Sequence, residues 1–434
     1  MNDSTTDDSS WLRPRFLFAV VLTGLFAGLG GMLLGMLLHT VQHLAYGYGG
    51  GPVLSHETFL QGVQAASGPR RVLALVLCGV AAGGWWLILR YGRPLVSVNA
   101  AVSDPARPMP PATTMAHAIL QIVTVGLGSP LGREVAPREV GALAGGRLAT
   151  LLRLPPEQRR LVVACGAGAG LAAVYNVPLG AALFVLEGLL GSFAWPAVAA
   201  ALAACCLGAV VAWAGLGNDI QYAVPAMQIS PSLVVWAVIA GPVFGCAAHG
   251  FQRLTAAARA NAARGWRLPA ACLVNFTLIG LLAIYLPALL GNGKGPAQLS
   301  FGNELTIPLA ATLAVLKVAV VASTLRAGAA GGLLTPAIAV GASMAVVLGG
   351  LWTMVWPDSP PGAFAVVGAA AFLASSMRMP LTAIVLILEF TRVDQAFLVP
   401  IIVAVAGSVV TSRYCAARGA RLAAAPGAAA RNAS

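Results

Sequence analysis

The sequence predicts an all-α polytopic membrane protein, on three observations: its composition, the recurrence of apolar runs of spanning length, and an internal repeat with interrupted helices. Of the 434 residues, 58% are hydrophobic and 9% are charged. A soluble domain carries about a quarter charged residues, so this chain has too little polar surface to stay in water. Apolar runs cover Phe16 to Leu38, Val72 to Leu89, Leu179 to Ala214, Leu233 to Ala248 and Ala271 to Leu290. One helix crossing the hydrocarbon needs about 20 apolar residues, and some of these runs are longer. The expected layout is one membrane domain over 16–412, with a polar N-terminal tail 1–15, a basic, Ala-rich tail 413–434 and no appended cytoplasmic domain.

The net charge of +12 does not gather into one patch. Basic residues fall between apolar runs, at Arg70–Arg71, Arg90–Arg93, Arg147–Arg160, Arg253–Arg267 and Arg413–Arg421. That is the distribution of loops held in the cytoplasm by the positive-inside bias, and it argues against a nucleic-acid partner. The seven cysteines lie mostly within apolar runs and form no CxxC pair. They read as small core residues, so neither metal, disulfide nor cofactor is expected. The N-terminus is acidic and lacks the basic region and cleavage site of a secretory signal, so the first helix is expected to stay in the protein.

The two halves match at an offset near 200. Gly132-Arg-Glu-Val-Ala-Pro137 follows the apolar run from His117 to Leu127, and Gly331-Gly-Leu-Leu-Thr-Pro336 follows the run from Lys317 to Leu325. Gly141-Ala142 and Gly341-Ala342 come soon after. Further on, Pro178-Leu179 leads to Glu187 and Pro380-Leu381 to Glu389, nine positions from proline to glutamate in each half. Equal spacings are harder to obtain by chance than equal composition, which predicts a duplication, with repeats of about 16–217 and 230–412.

Duplicated membrane helices interrupted by Gly and Pro point to a specific device. A helix broken inside the membrane is tolerated only where its free backbone groups are buried in protein or line a cavity. Its N-terminus then offers unpaired N–H groups and the positive end of the dipole, which attract an anion. Two such ends, one from each repeat, can surround one dehydrated ion. The two hexapeptides are the candidates, with glycine before the turn and proline where a helix begins.

Glu134 sits inside the first hexapeptide. A carboxylate there competes with a free anion for the same N–H groups, and loses that competition when protonated. Inside a membrane, ionisable residues are costly and usually functional, so Glu134 is expected to act as gate and proton carrier; the structural alternative is a helix cap. Arg138 and Glu139 fit a structural ion pair or a vestibule mouth. Glu187 and Glu389, at the ends of apolar runs, are expected to cap neighbouring helices. His117 and Lys317 correspond between the halves and fit either a polar interior or a snorkelling role. Enzyme readings fail: Gly291-Asn-Gly-Lys-Gly295 lacks the spacing and Ser/Thr of a phosphate loop, and the five histidines show no zinc-protease spacing.

These residues resemble a known family. Gly132-Arg133-Glu134-Val135-Ala136-Pro137 is similar to the Gly-Arg-Glu-Gly-Pro signature of the CLC chloride channels and transporters, with one residue more before the proline. Gly332-Leu333-Leu334-Thr335-Pro336 resembles their Gly-x-Phe-x-Pro signature, and Asn176-Val-Pro-Leu with Phe-Val-Leu-Glu187 matches the surrounding pattern. The resemblance covers roughly Leu17 to Val410. It implies a CLC-like fold of two inverted repeats with tilted and broken helices, a homodimer with one pore per subunit, and residence in the lipid bilayer of a bacterial inner membrane.

Three departures refine the expectation. Where the chloride-binding Gly-Ser-Gly-Ile-Pro would stand, the chain has Leu95-Val-Ser97-Val-Asn99. The tyrosine near the C-terminal end of the pore has no equivalent in register, and the second of two successive glutamates is replaced by Gly188 after Glu187. These losses resemble the fluoride/proton antiporter branch of the family, whose asparagine and threonine Asn99 and Thr335 match. Fluoride is strongly hydrated, and amide and hydroxyl donors help to replace its water. Each of the two also has a local alternative, Asn99 as a helix cap and Thr335 bonded to its own helix. The resulting expectation is an anion/proton antiporter exporting fluoride, with a chloride/proton antiporter or a passive anion channel as alternatives. Glu134 gates, the amides of Val135, Leu333 and Leu334 hold the ion, and Arg133, Ser97, Asn99 and Thr335 complete the site.

Overall fold

The apolar runs fold as helices throughout the residues described by this computed structural model, 13–47, 58–91 and 94–431. Most of the expected N-terminal tail, residues 1–12, lies outside them, as do residues 92–93 of one basic run and the last three positions. The first repeat contains α1 (Pro14–Tyr46), α2 (Phe59–Ala65), α3 (Gly68–Tyr91), α4 (Val98–Ser103) and α5 (Pro111–Gly126). It continues with α6 (Val135–Leu151), α7 (Pro156–Tyr175), α8 (Pro178–Leu183, extended by a π-helical stretch Phe184–Leu190) and α9 (Trp195–Leu216). The second contains α10 (Pro231–Ala260), α11 (Arg267–Tyr285), α12 (Lys294–Phe301) and α13 (Ile307–Ala327). It ends with α14 (Leu334–Trp352), α15 (Pro361–Met377), α16 (Pro380–Thr391) and α17 (Leu398–Arg431).

Eight helices among the described residues are long and apolar enough to cross a bilayer, namely α1, α3, α9, α10, α11, α13, α14 and most of α17. The single run from Leu179 to Ala214 proves to be two elements, because the chain leaves the helix at Gly191, with φ +63°, and restarts at Trp195. Hydropathy alone does not register that break. At the other end, α17 continues helically into the basic, Ala-rich segment, whose Ala and Arg residues are strong helix formers.

The helix pairings repeat. α1 packs on α9 as α10 packs on α17, α6 on α7 as α14 on α15, and α7 on α9 as α15 on α17. Counterparts also meet directly, α3 against α11 and α8 against α16. Left-handed backbone positions recur in register: Gly128 (φ +106°) with Gly328 (φ +98°), and Asn176 (φ +55°) with Arg378 (φ +58°). In each half the second of these positions ends one helix so that Pro178 or Pro380 can start the next without a missing hydrogen bond.

Contacts across the centre are reciprocal. Glu187 accepts hydrogen bonds from the N–H groups of Leu381 (3.1 Å) and Thr382 (2.7 Å) and from the Thr382 hydroxyl (2.7 Å). Glu389 accepts from the N–H groups of Leu179 (3.0 Å) and Gly180 (2.6 Å). Each carboxylate therefore caps a helix of the other repeat, Glu187 at the start of α16 and Glu389 at the start of α8, the reciprocity expected of halves related by a two-fold axis. The architecture is two inverted repeats of tilted and broken helices. Glycines set the closeness of the packing that matters most here. A Cβ on Gly141 would strike the Gly166 carbonyl, and one on Gly170 the Pro137 carbonyl, so α6 lies backbone to backbone on α7.

Removing one cap leaves helix N–H groups at the start of α16 or α8 without their carboxylate acceptor. Glu187→Ala is expected to destabilise the purified protein by about 1–2 kcal/mol, read as a lower thermal transition in detergent. Glu187→Gln, which keeps an acceptor, is expected to lose less.

Candidate functional site

Two helix breaks meet where the repeats touch. α5 ends at Gly126 and α6 begins at Val135; α13 ends at Ala327 and α14 begins at Leu334. Between them, Gly132 N–H donates to the Gly332 carbonyl at 2.8 Å and Gly332 N–H donates to the Gly132 carbonyl at 3.0 Å. This antiparallel bridge is a ladder of one rung. It uses up the glycine amides and fixes the starts of α6 and α14 against each other.

Glu134 occupies the junction. It is 1% exposed and precedes the first residue of α6, yet its side chain makes no capping bond to its own helix. Instead, Leu334 N–H, at the start of α14 in the other repeat, donates to Glu134 Oε1 at 2.7 Å. Tyr175 Oη lies 3.5 Å from Glu134 Oε2 and 3.1 Å from Thr335 Oγ1. A Cβ on either Gly132 or Gly332 would collide with the Glu134 carboxylate. The carboxylate is thus lodged between the two glycines at a helix N-terminus, the position where N–H groups and dipole favour a negative charge. It stands in the place of an anion.

Beside it lies a cavity of about 10 Å³, room for roughly one water-sized particle. Arg133, Lys294, Tyr175, Tyr222, Asn292 and Thr335 line it together with Gln221 and Phe390. Two cations face this space and no carboxylate lines it, so its field favours an entering anion. The Arg133 guanidinium is held 4.8 Å from the Tyr175 ring centroid. A third cation, Arg259 at the end of α10, donates to the Gly331 carbonyl at 3.4 Å and acts electrostatically on Glu134.

The other expected residues fall as follows. Leu334 donates its amide to Glu134, Leu333 is the residue before α14, and Val135 opens α6. Thr335 is 2% exposed and meets the Tyr175 hydroxyl rather than its own helix. Ser97 and Asn99 lie apart from this cluster, exposed at the start of α4. Ser97, not Asn99, is the helix cap, accepting Ala100 N–H at 3.2 Å. Neither lines the cavity, although α4 packs on α6 and α7. Arg138 and Glu139 form no ion pair. Glu139 Oε2 lies 2.9 Å from His117 Nδ1, and the Arg138 guanidinium stands 4.2 Å over the Phe184 ring. Adjacent residues on a helix point in different directions, so neighbours in sequence are poor candidates for pairing. Lys317 is buried and donates to the Leu289 and Gly291 carbonyls.

Sequence reasoning passed over Tyr175, Lys294 and Arg259. Tyr175 adjoins the Asn176-Val-Pro motif and closes α7, which is buried without interruption from Leu161 onward, a placement that flags its hydroxyl. Lys294 and Asn292 belong to the glycine-rich segment set aside as an incomplete phosphate loop, which supplies donors to the cavity all the same.

The family model described as voltage gated chloride channel matches residues 78–413. The H(+)/Cl(−) exchange transporter ClcA of Vibrio vulnificus (strain YJ016) is 27% identical over 304 residues, 67% of this chain and 64% of that protein. The chain therefore spans slightly under two thirds of that relative's length. A putative chloride channel protein ClcB-like of Ralstonia nicotianae is 29% identical over 297 residues, 66% of this chain and 69% of its own. Among solved structures, a slow cyanobacterial Cl−/H+ antiporter superposes with a TM-score of 0.79 at 18% identity, covering 93% of this chain and 95% of that one. A CLC-type fluoride/proton antiporter superposes at 0.73 with 21% identity, covering 92% and 95%. At such identities the shared property is the fold.

The seat of the carboxylate is testable by structure. In Gly332→Ala the new methyl occupies the carboxylate's space, so Glu134 is expected to swing away and lose its bond from Leu334 N–H. A determined structure of the variant should show this, with a stability loss of about 1–3 kcal/mol.

Proposed function

We propose, for a chain that belongs to the voltage gated chloride channel family, that it is an anion/proton antiporter in which Glu134 and the transported anion take turns at one seat. The observation that carries this reading is the bond from Leu334 N–H to Glu134 Oε1, made across the repeats by a side chain that leaves its own helix uncapped. When ionised, Glu134 neutralises the N-terminus of α14 and closes the site. Accepting a proton removes its charge and with it the charge-assisted part of that bond. The neutral side chain leaves, and an anion drawn in by Arg133 and Lys294 takes the freed amide. Loss of the proton to the other side restores the carboxylate, which expels the anion. Proton and anion therefore cross in opposite directions.

The cargo is a small halide. Fluoride is favoured by Thr335, whose hydroxyl sits with that of Tyr175 at the edge of the seat and offers strong donors to a tightly hydrated ion. Asn99, exposed on α4, lends that reading less support. Chloride is the second reading, favoured by the chloride/proton exchange named for the Vibrio relative. The proposal extends to a bacterial inner membrane as location and a homodimer as assembly, readings supported by the family resemblance and by the bacterial relatives.

Proteoliposomes loaded with equal fluoride and chloride, followed with ion-selective electrodes and a pH probe, test the reading. Halide efflux is expected to drive proton uptake against a gradient in the unaltered protein, and Glu134→Ala or Glu134→Gln to abolish that uptake. Uptake surviving both changes would refute the role of Glu134. Thr335→Val is expected to weaken fluoride binding about fivefold, the value of one hydrogen bond, and to leave chloride flux little changed.

A further inference from the structure

Away from the anion seat, a cavity of about 870 Å³ opens where the turn between α10 and α11 meets the C-terminal end of α13. Arg264, Arg267 and Arg326 line it, and all three are exposed. No carboxylate shares the lining, and the one ion pair among the described residues is His117 with Glu139, so these guanidinium groups are paired with no acid among the described residues. Arg267 is the first residue of α11, a helix of 19 residues whose preceding residue, Trp266, makes no side-chain cap. The helix's N-terminal N–H groups therefore add to the positive potential of the three arginines.

The cavity also has an apolar wall. Ala271, Val274 and Leu278 line it at helical spacing along α11, with Val274 59% and Leu278 56% exposed. Since α11 is long and apolar enough to span, this stripe runs from the charged mouth towards the bilayer interior. Trp266, 78% exposed beside the Arg267 guanidinium, marks the level of the headgroups, where indole rings settle. A basic mouth at the interface continued by an apolar trench complements one kind of molecule, with a phosphate at one end and a hydrocarbon chain at the other. The positive-inside bias puts this arginine-rich turn on the cytoplasmic side.

We propose that this cavity binds an anionic phospholipid of the cytoplasmic leaflet, its phosphate held by Arg264, Arg267 and Arg326 and one acyl chain laid along Val274 and Leu278. The site lies outside the transport machinery and does not depend on which anion is carried.

Native mass spectrometry of the full chain in detergent, with dioleoyl phosphatidylglycerol or dioleoyl phosphatidylcholine added in equal ratio, tests it. The unaltered protein is expected to retain phosphatidylglycerol over phosphatidylcholine. Each of Arg264→Ala, Arg267→Ala and Arg326→Ala is expected to reduce that retention roughly fivefold, the effect of one basic residue near an anionic lipid surface. The triple lysine variant keeps the charge, so it is expected to preserve much of the retention and serves as the control for folding. Val274→Asp is expected to lower lipid retention without affecting inorganic phosphate. Equal retention of the two lipids, or phosphatidylglycerol retention unchanged in the triple alanine variant, would overturn the proposal. Phosphate binding at the arginines without any lipid preference would assign a soluble anion to the cavity and overturn it equally.

Discussion

A carboxylate buried in a membrane protein needs donors, and Glu134 takes one from a helix of the opposite repeat. Everything around the seat serves that bond from Leu334 N–H. The mutual hydrogen bonds of Gly132 and Gly332 bring the two helix starts together, and both positions must be glycine because the carboxylate fills the space a Cβ would need. Close packing of α6 on α7 through Gly141, Gly166 and Gly170 holds the start of α6 in place and brings Tyr175, at the end of α7, to the seat. The reciprocal caps of Glu187 and Glu389 tie the repeats together where α8 meets α16.

The electrostatic economy of the site follows from the membrane. In water, a surface carboxylate near a helix N-terminus gains little, because solvent competes for both partners. With solvent excluded, the same N–H group and dipole act on a charge they cannot share, so either the carboxylate or a free anion must be there. Arg133, Lys294 and Arg259 surround the seat with positive charge, and that surplus makes it costly to leave empty. In the mechanism proposed for this site, a fixed anion and a mobile one exchange there, with protonation as the switch.

Much of this was legible in the sequence because duplication writes the same signal twice. The match of the hexapeptides beginning at Gly132 and Gly331, and of Pro178 with Pro380, identified the breaks that form the seat, and Glu134 stood out as an acid inside one of them. Partners distant in the chain were not legible. Tyr175 meets Thr335 and Arg259 meets Gly331 only after folding, and no local pattern links them. Local reasoning also misdirected. It offered Arg138 and Glu139 as a pair, although Glu139 turns to His117, and it offered Asn99 as a cap where Ser97 does that work. The long apolar run from Leu179 to Ala214 hid a break, since hydropathy averages over the glycine at which the helix ends.

The central claim is that Glu134 and the anion compete for one seat. Calorimetric titration of the detergent-solubilised protein with fluoride and with chloride across a range of pH tests it most directly, beside Glu134→Ala. The account predicts that halide binding to the unaltered protein tightens as pH falls, because protonation removes the competing carboxylate. The variant should bind at least as tightly at every pH, with that dependence gone. Binding that ignores pH in the unaltered protein, or that weakens when the Glu134 side chain is removed, would contradict the account.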